Sequence, residues 1–142
     1  MLTKSTEFDL VCSIDGAELD FRSEFGRYFV CECKDLKNRA NVTAILKFCS
    51  VLDSVGSRFG IFISKFGIAA EDEIRKLYQR RGIVVVVLEL ADLESVARGE
   101  NFINLLRHKY EKVRLDLRKR TEAKRTRLKA SAKPKHTSKP TP

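Results

Sequence analysis

Glu32 and Lys34 stand two positions apart in the stretch YFVCECKDLK, residues 28–37. A strand alternates its side chains between two faces, so Val30, Glu32 and Lys34 point one way and Phe29, Cys31 and Cys33 the other. The aromatic, β-branched and small apolar residues from Tyr28 to Cys33 mark a strand of the interior. An unpaired charge there costs several kcal/mol, so a carboxylate and an ammonium on one face need partners or a ligand. A structural ion pair at a strand end is one answer. The other draws on acids upstream: Asp9 in EFD and Asp20 in ELD lie on segments that can sit beside Glu32. One of these aspartates, with Glu32 and the backbone carbonyl of Cys33, would offer the oxygen ligands that a hard divalent cation, Mg2+ or Mn2+, takes. Such a cation polarises a phosphoryl oxygen and acidifies a bound water. Lys34 would orient that water or offset the charge that builds on phosphorus.

These residues depend on the elements around them. EFDLVCSI, residues 7–14, alternates weakly and reads as a strand, with Asp15-Gly16 as a turn behind it. A short strand over 18–22, turning at Phe25-Gly26 into the strand 28–34, would complete an antiparallel meander. Asn41 can cap a helix in which Val42, Ile45, Leu46, Phe48, Cys49, Leu52 and Val55 recur at helical spacing up to Gly56. A strand follows at 58–65, then a helix at 70–81 stopped by Gly82. IVVVVLEL, residues 83–90, is apolar on both faces, as suits a strand covered by helices on each side. Asp92 is positioned to cap a short helix ending at Gly99, and Phe102, Leu105, Leu106, Tyr110 and Val113 mark another. Strands followed by alternating helices and strands predict a mixed α/β sheet.

Asp, a spacer, then Glu-x-Lys at the end of an apolar strand, with an amphipathic helix and a further strand behind it, resembles the PD-(D/E)xK nuclease superfamily. The resemblance to this restriction-endonuclease-like fold runs from about Glu7 to Ile68. VCECKDLKNRANVTAILKFCSVLDSVGSRFGIFISKFGI is similar to prokaryotic members in which an ECKN-type strand end precedes a helix and a strand of G-I-L-x-S character. The resemblance implies a central four-stranded mixed sheet flanked by helices, Mg2+ at the Asp and Glu positions, and hydrolysis of phosphodiester bonds in DNA. Glu32 and Lys34 match the Glu and Lys of the motif. For the aspartate, EFDLV is similar to the E-x-D-hydrophobic strand of these proteins, which favours Asp9. Asp20 is the alternative, because a hairpin centred on Gly26 would set residue 20 opposite residue 32. The fold normally opens with a helix ahead of its first strand, and only MLTKST precedes Glu7. The chain is therefore expected to be a fragment, or to take the missing surface from a partner protein or a second copy in a homodimer.

At 142 residues and 43% hydrophobic composition the chain suits one domain. No apolar run approaches the roughly 18–20 residues of a membrane helix, and the N-terminal residues lack the apolar centre of a signal peptide. A cytoplasmic, nucleoid-associated protein with no membrane role is expected. Residues 112–142 carry 12 Lys and Arg against Asp116 and Glu122, a net +10 within a total of +9, which leaves the remainder near neutral. Apolar periodicity ends near Leu117. A domain over 1–117 is expected, with a disordered basic tail over 118–142 that contacts DNA or other nucleic acid through its charge, without reading bases.

Several other residues read as structural. Cys12, Cys31, Cys33 and Cys49 form no CxxC, and Cys31 and Cys33 are expected in the core. Cys49, on the apolar face of its helix, reads as packing rather than as a nucleophile. His108 reads as a solvent-facing helix residue and His136 as part of the tail. Gly56, Gly60 and Gly67 form no phosphate loop and suit turns and close backbone packing.

Overall fold

The computed structural model describes residues 10–13 and 28–131, together with Ser23 and Gly26. Four strands, β1 (Leu10–Ser13), β2 (Tyr28–Lys34), β3 (Phe59–Ser64) and β4 (Val84–Leu88), form one open sheet in the order β1-β2-β3-β4. β1 runs antiparallel to β2, with Leu10 opposite Cys31 and Ser13 opposite Tyr28, and β2, β3 and β4 run parallel. Parallel neighbours require crossovers, here helices α1 (Val42–Ser54) and α2 (Glu71–Arg81). The helices α3 (Leu90–Ala97) and α4 (Phe102–Ser131) follow β4. The expected mixed α/β sheet is therefore present. The strand expected over 18–22 lies outside the described residues, and the antiparallel neighbour of β2 is β1.

Alternation along the strands sorts the core into two layers. Val30, Phe62 and Val85 pack with Ile45, Phe48, Cys49 and Leu52 of α1 and Ile74 and Tyr78 of α2. On the opposite face Cys31, Phe59, Ile61, Val86 and Leu88 pack with Leu105, Leu106 and Tyr110 of α4. β4 is thus covered on both faces, as its unbroken apolar run predicts. Gly60, in the middle of β3, faces α1, and a Cβ there would stand 2.7 Å from a ring carbon of Phe48. Its missing side chain lets the phenyl ring of Phe48 lie against the strand.

Asn41 caps α1 as expected, its side chain accepting the Ala44 amide at 3.0 Å. Gly82 ends α2 in the left-handed conformation at φ 64°. Two boundaries differ from expectation. β4 stops at Leu88, and Glu89, not Asp92, caps α3. Glu89 accepts from the backbone at the third helical position, and the Asp92 carboxylate returns the contact to the Glu89 amide at 2.8 Å. This reciprocal box satisfies two amides that a lone Asp92 cap would not.

α4 is the larger surprise. It continues past Leu117 to Ser131. Arg, Lys, Ala, Glu and Leu have high helix propensity, and the α2 surface supplies partners. Gln79 donates to the Leu117 carbonyl at 2.8 Å and to Thr121 Oγ1 at 3.3 Å, and Arg120 binds Asp72. Leu117 marks where burial fades rather than where the helix ends; residues 121–128 are exposed. Residues 132–142, including His136, lie outside the described residues. No helix among the described residues is long and apolar enough to cross a membrane.

Candidate functional site: a cationic cleft at the end of the second strand

Glu32 and Lys34 share a face of β2, as strand alternation requires, and Lys34 Nζ stands 2.6 Å from Glu32 Oε1. Their environments differ. Glu32 is 8% exposed, whereas 43% of the Lys34 side chain remains exposed. The register with β3 explains the burial, because Glu32 lies beside the fully buried Phe62. Lys34, two pairs further on and on the same face, lies beside Ser64 at the end of the strand. Ser64 is itself fully buried, with no hydrogen-bond partner for its hydroxyl among the described residues. The C-terminal end of β2 thus holds a carboxylate inside, an ammonium at the surface and a buried hydroxyl on the neighbouring strand.

The chain between β2 and α1 is anchored at both ends. Past Lys34 it makes a short loop and returns to the sheet at Ala40, which forms an isolated parallel bridge with Ile68. The Ala40 amide donates to the Gly67 carbonyl at 2.9 Å, and the Ala69 amide donates to the Ala40 carbonyl at 2.8 Å. The loop over 35–39 is held between these bonds and the β2–β3 ladder. Its residues 36–39 form one wall of a cleft of about 490 Å3; Glu32 and Lys34 stand on another, and Asn41, Thr43, Ala44 and Lys47 of the α1 start complete it.

Among the described residues Glu32 is the one carboxylate that lines this cleft, and no group of three or more His, Cys, Asp and Glu side chains converges anywhere. Glu32 and the Cys33 carbonyl fit a hard cation in donor type, and both belong to the end of β2. A cation would compete with Lys34 Nζ for the Glu32 oxygen. Asp9 and Asp20, either of which would complete the ligand set, lie outside the described residues.

The cations Lys37, Arg39 and Lys47 are functional candidates that reading for motifs missed. The signal available was the run KNR between a strand and a helix, with a further lysine two helical turns beyond Asn41. Charge alone does not say that such residues converge.

The remaining candidates fall into place around the core. Cys49 is fully buried and its thiol pKa is pushed up to about 11 by burial, which suits packing. Burial, together with the Cys12 thiol 3.9 Å away, pushes Cys31 up to about 12. Cys33 is exposed, contrary to the expected core position, because β2 runs out past the side chains of α4 that cover Cys31. His108 is exposed, as expected. It borders a second cavity of about 260 Å3 between α2, β4 and α4, which the fully packed Tyr78 also lines. Burial raises the Tyr78 phenol, whose hydroxyl has no hydrogen-bond partner among the described residues.

Comparison of the chain with protein-family models, with curated proteins and with solved structures finds no match.

Proposed function

We propose that the chain is a nuclease-like domain of the restriction-endonuclease-like type, using Mg2+ or Mn2+ to hydrolyse phosphodiester bonds in DNA. The observation that carries this reading is the buried Glu32 carboxylate, 2.6 Å from Lys34 on one strand face, opening onto a cleft whose other charged lining residues are Lys37, Arg39 and Lys47. The sheet lends support: the Glu-x-Lys residues end a strand that lies between an antiparallel strand and a parallel one. Of the two aspartates, both outside the described residues, the resemblance of EFDLV favours Asp9.

Glu32, the Cys33 carbonyl and Asp9 would hold the cation, whose chemistry is to polarise a phosphoryl oxygen and acidify a water. Glu32 is prearranged for this by burial, which fixes its position on the strand. Lys34 has the reach to follow the developing negative charge on the phosphoryl oxygens, since its ammonium stands at the open side of the pair. The α1 end of the cleft supplies cations but no second acid or base among the described residues, so proton movement falls to Lys34, water and the aspartate.

Plasmid nicking with Mg2+ or Mn2+ tests the proposal together with thermal melting. Glu32→Ala should abolish both nicking and the rise in Tm that the cation produces by mass action. Lys34→Ala should lower nicking by about 100-fold or more while keeping the Tm rise. A wild-type chain whose plasmid and Tm are both indifferent to millimolar Mg2+ and Mn2+ overturns the reading. A second reading follows from Glu32 being alone among described carboxylates in the cleft. In it, the domain binds nucleic acid, or assembles with a partner protein or a second copy, without cleavage. DNA binding with no nicking in either cation would select it.

A further inference from the structure

Lys37, Arg39 and Lys47 are exposed, and none of them takes part in an ion pair with a carboxylate among the described residues. Several cations elsewhere are matched, Arg75 with Asp116 and Glu71, Arg81 with Asp53, Lys109 with Asp92 and Arg120 with Asp72, and Lys37, Arg39 and Lys47 converge on one concavity. Among the described residues Glu32 is the one carboxylate lining the cleft, and it is already bonded to Lys34. Three further like charges therefore face one concavity whose described lining holds no second acid, an arrangement that repulsion disfavours and that an anion would relieve.

The scaffold keeps these charges together. Lys37 and Arg39 ride on the loop tied at Ala40 to Gly67 and Ala69. Thr43, Ala44 and Lys47 follow one another at the three- and four-residue spacing that sets them on one stripe of α1. The lining also says what kind of anion fits. Asn38, Asn41 and Thr43 add hydrogen-bonding groups, and among the described residues the apolar lining is limited to Leu36 and Ala44, with no aromatic side chain on which a base could stack. Such a surface recognises phosphate and leaves bases unread.

We propose that Lys37, Arg39 and Lys47 form a backbone-phosphate track that lays a nucleic acid strand, independent of its sequence, across the Glu32–Lys34 pair. The proposal deepens the phosphodiester reading of that pair and rests on it for the direction of the strand. Phosphate capture by the three cations itself requires neither Glu32 nor a divalent ion.

The test uses the full chain in EDTA with fluorescein-labelled 20-nucleotide DNA, single-stranded and duplex. Acetylation of lysines, read by mass spectrometry with and without DNA, locates the contact. Lys37 and Lys47 should be protected by DNA, with Lys76 on α2 unprotected. In anisotropy titrations over a KCl series, the triple variant Lys37→Ala, Arg39→Ala, Lys47→Ala should bind more weakly, with the slope of log affinity against log salt reduced by about 2–3. Its circular dichroism melt should match that of the wild type. Lys76→Ala, on α2 and away from the cleft, should keep both the footprint and the slope. Equal reactivity of Lys37 and Lys47 with and without DNA, or an unchanged slope in a folded triple variant, overturns the track. Protection of these lysines in a protein that never nicks DNA removes the nuclease reading and leaves the track standing. Nicking by the wild type without protection of Lys37 and Lys47 does the reverse. Exchange of the labelled strand for a duplex reports which form of backbone the cleft prefers, and loss of protection with both forms overturns the track.

Discussion

The seam between α2 and α4 and the cleft at the end of β2 are both built with Lys and Arg, and they use them in opposite ways. At the seam Arg75 lies between Asp116 of α4 and Glu71 one turn back, 3.1 Å away, with 17% of its side chain exposed. Lys109 binds Asp92 and donates to the Val87 carbonyl at 3.3 Å, covering the outer edge of β4 with α4. Each such cation has its acid and holds two elements together. In the cleft Glu32, bonded to Lys34, is the one acid among the described lining residues, and the charge of Lys37, Arg39 and Lys47 faces outward. Partly buried pairs hold a fold, whereas a concentrated unmatched charge contributes little to folding and a great deal to the capture of a charged partner.

That contrast can be broken by mutation. Arg75→Met keeps the length and apolar stem of the side chain but strips Asp116 of its partner, and urea denaturation should show a loss of about 1–3 kcal/mol. A loss below about 0.5 kcal/mol would mean that the seam, like the cleft, contributes nothing to the fold through its charges. β2, with Cys31 buried and Cys33 exposed, offers a sharper probe. Burial raises Cys31 from 9.0 to about 12 and Cys49 to about 11, so iodoacetamide at pH 8 should modify Cys33 and spare both until the protein is unfolded. The sign for stability follows. Above pH 9 the unfolded chain loses thiol protons that the folded chain keeps, so unfolding becomes easier as pH rises towards 11–12, and these thiols contribute no pH dependence below about 8. Equal labelling of Cys31 and Cys33 in the native protein would contradict the burial that separates them. The smallest effect belongs to the cleft. Replacing Lys37, Arg39 or Lys47 singly by Ala should move stability by no more than about 0.5 kcal/mol. Any gain should appear at low salt and vanish near 0.5 M KCl, because relief of repulsion is screened there.

Much of this architecture is legible in the residues. The alternation of β2, the spacing of Ile45, Phe48, Cys49 and Leu52 behind the Asn41 cap, Gly82 at the end of α2 and the two-faced apolar run of β4 each have a local cause, and each stands as expected. The pairing of Glu32 with Lys34 was equally local. What escaped depends on surfaces distant in sequence. α4 persists past Leu117 partly because Asp72 and Gln79, some 40 to 50 residues earlier, receive it. The Glu89 cap was hidden because the reciprocal partner three residues later is an aspartate, a variant of the Ser or Thr pattern sought at helix starts. The convergence of Lys37, Arg39 and Lys47 needed the bridge between Ala40 and Ile68, which no periodicity announces. For Asp9 and Asp20 the register of β1 reaches only to Leu10 among the described residues.

Gly60 carries a consequence for the cleft although it touches none of its lining. The phenyl ring of Phe48 rests where a Cβ of residue 60 would be, and Phe48 directly follows Lys47 in α1. The bare Cα of a mid-strand glycine therefore acts as a spacer gauge, fixing how far the helix stands off the sheet and, with it, the gap between Lys47 and the Glu32 wall. A single methyl group at that position would push on the ring in a packed core. The opening of a charged surface cleft is set, on this geometry, by the thickness of an apolar layer beneath it.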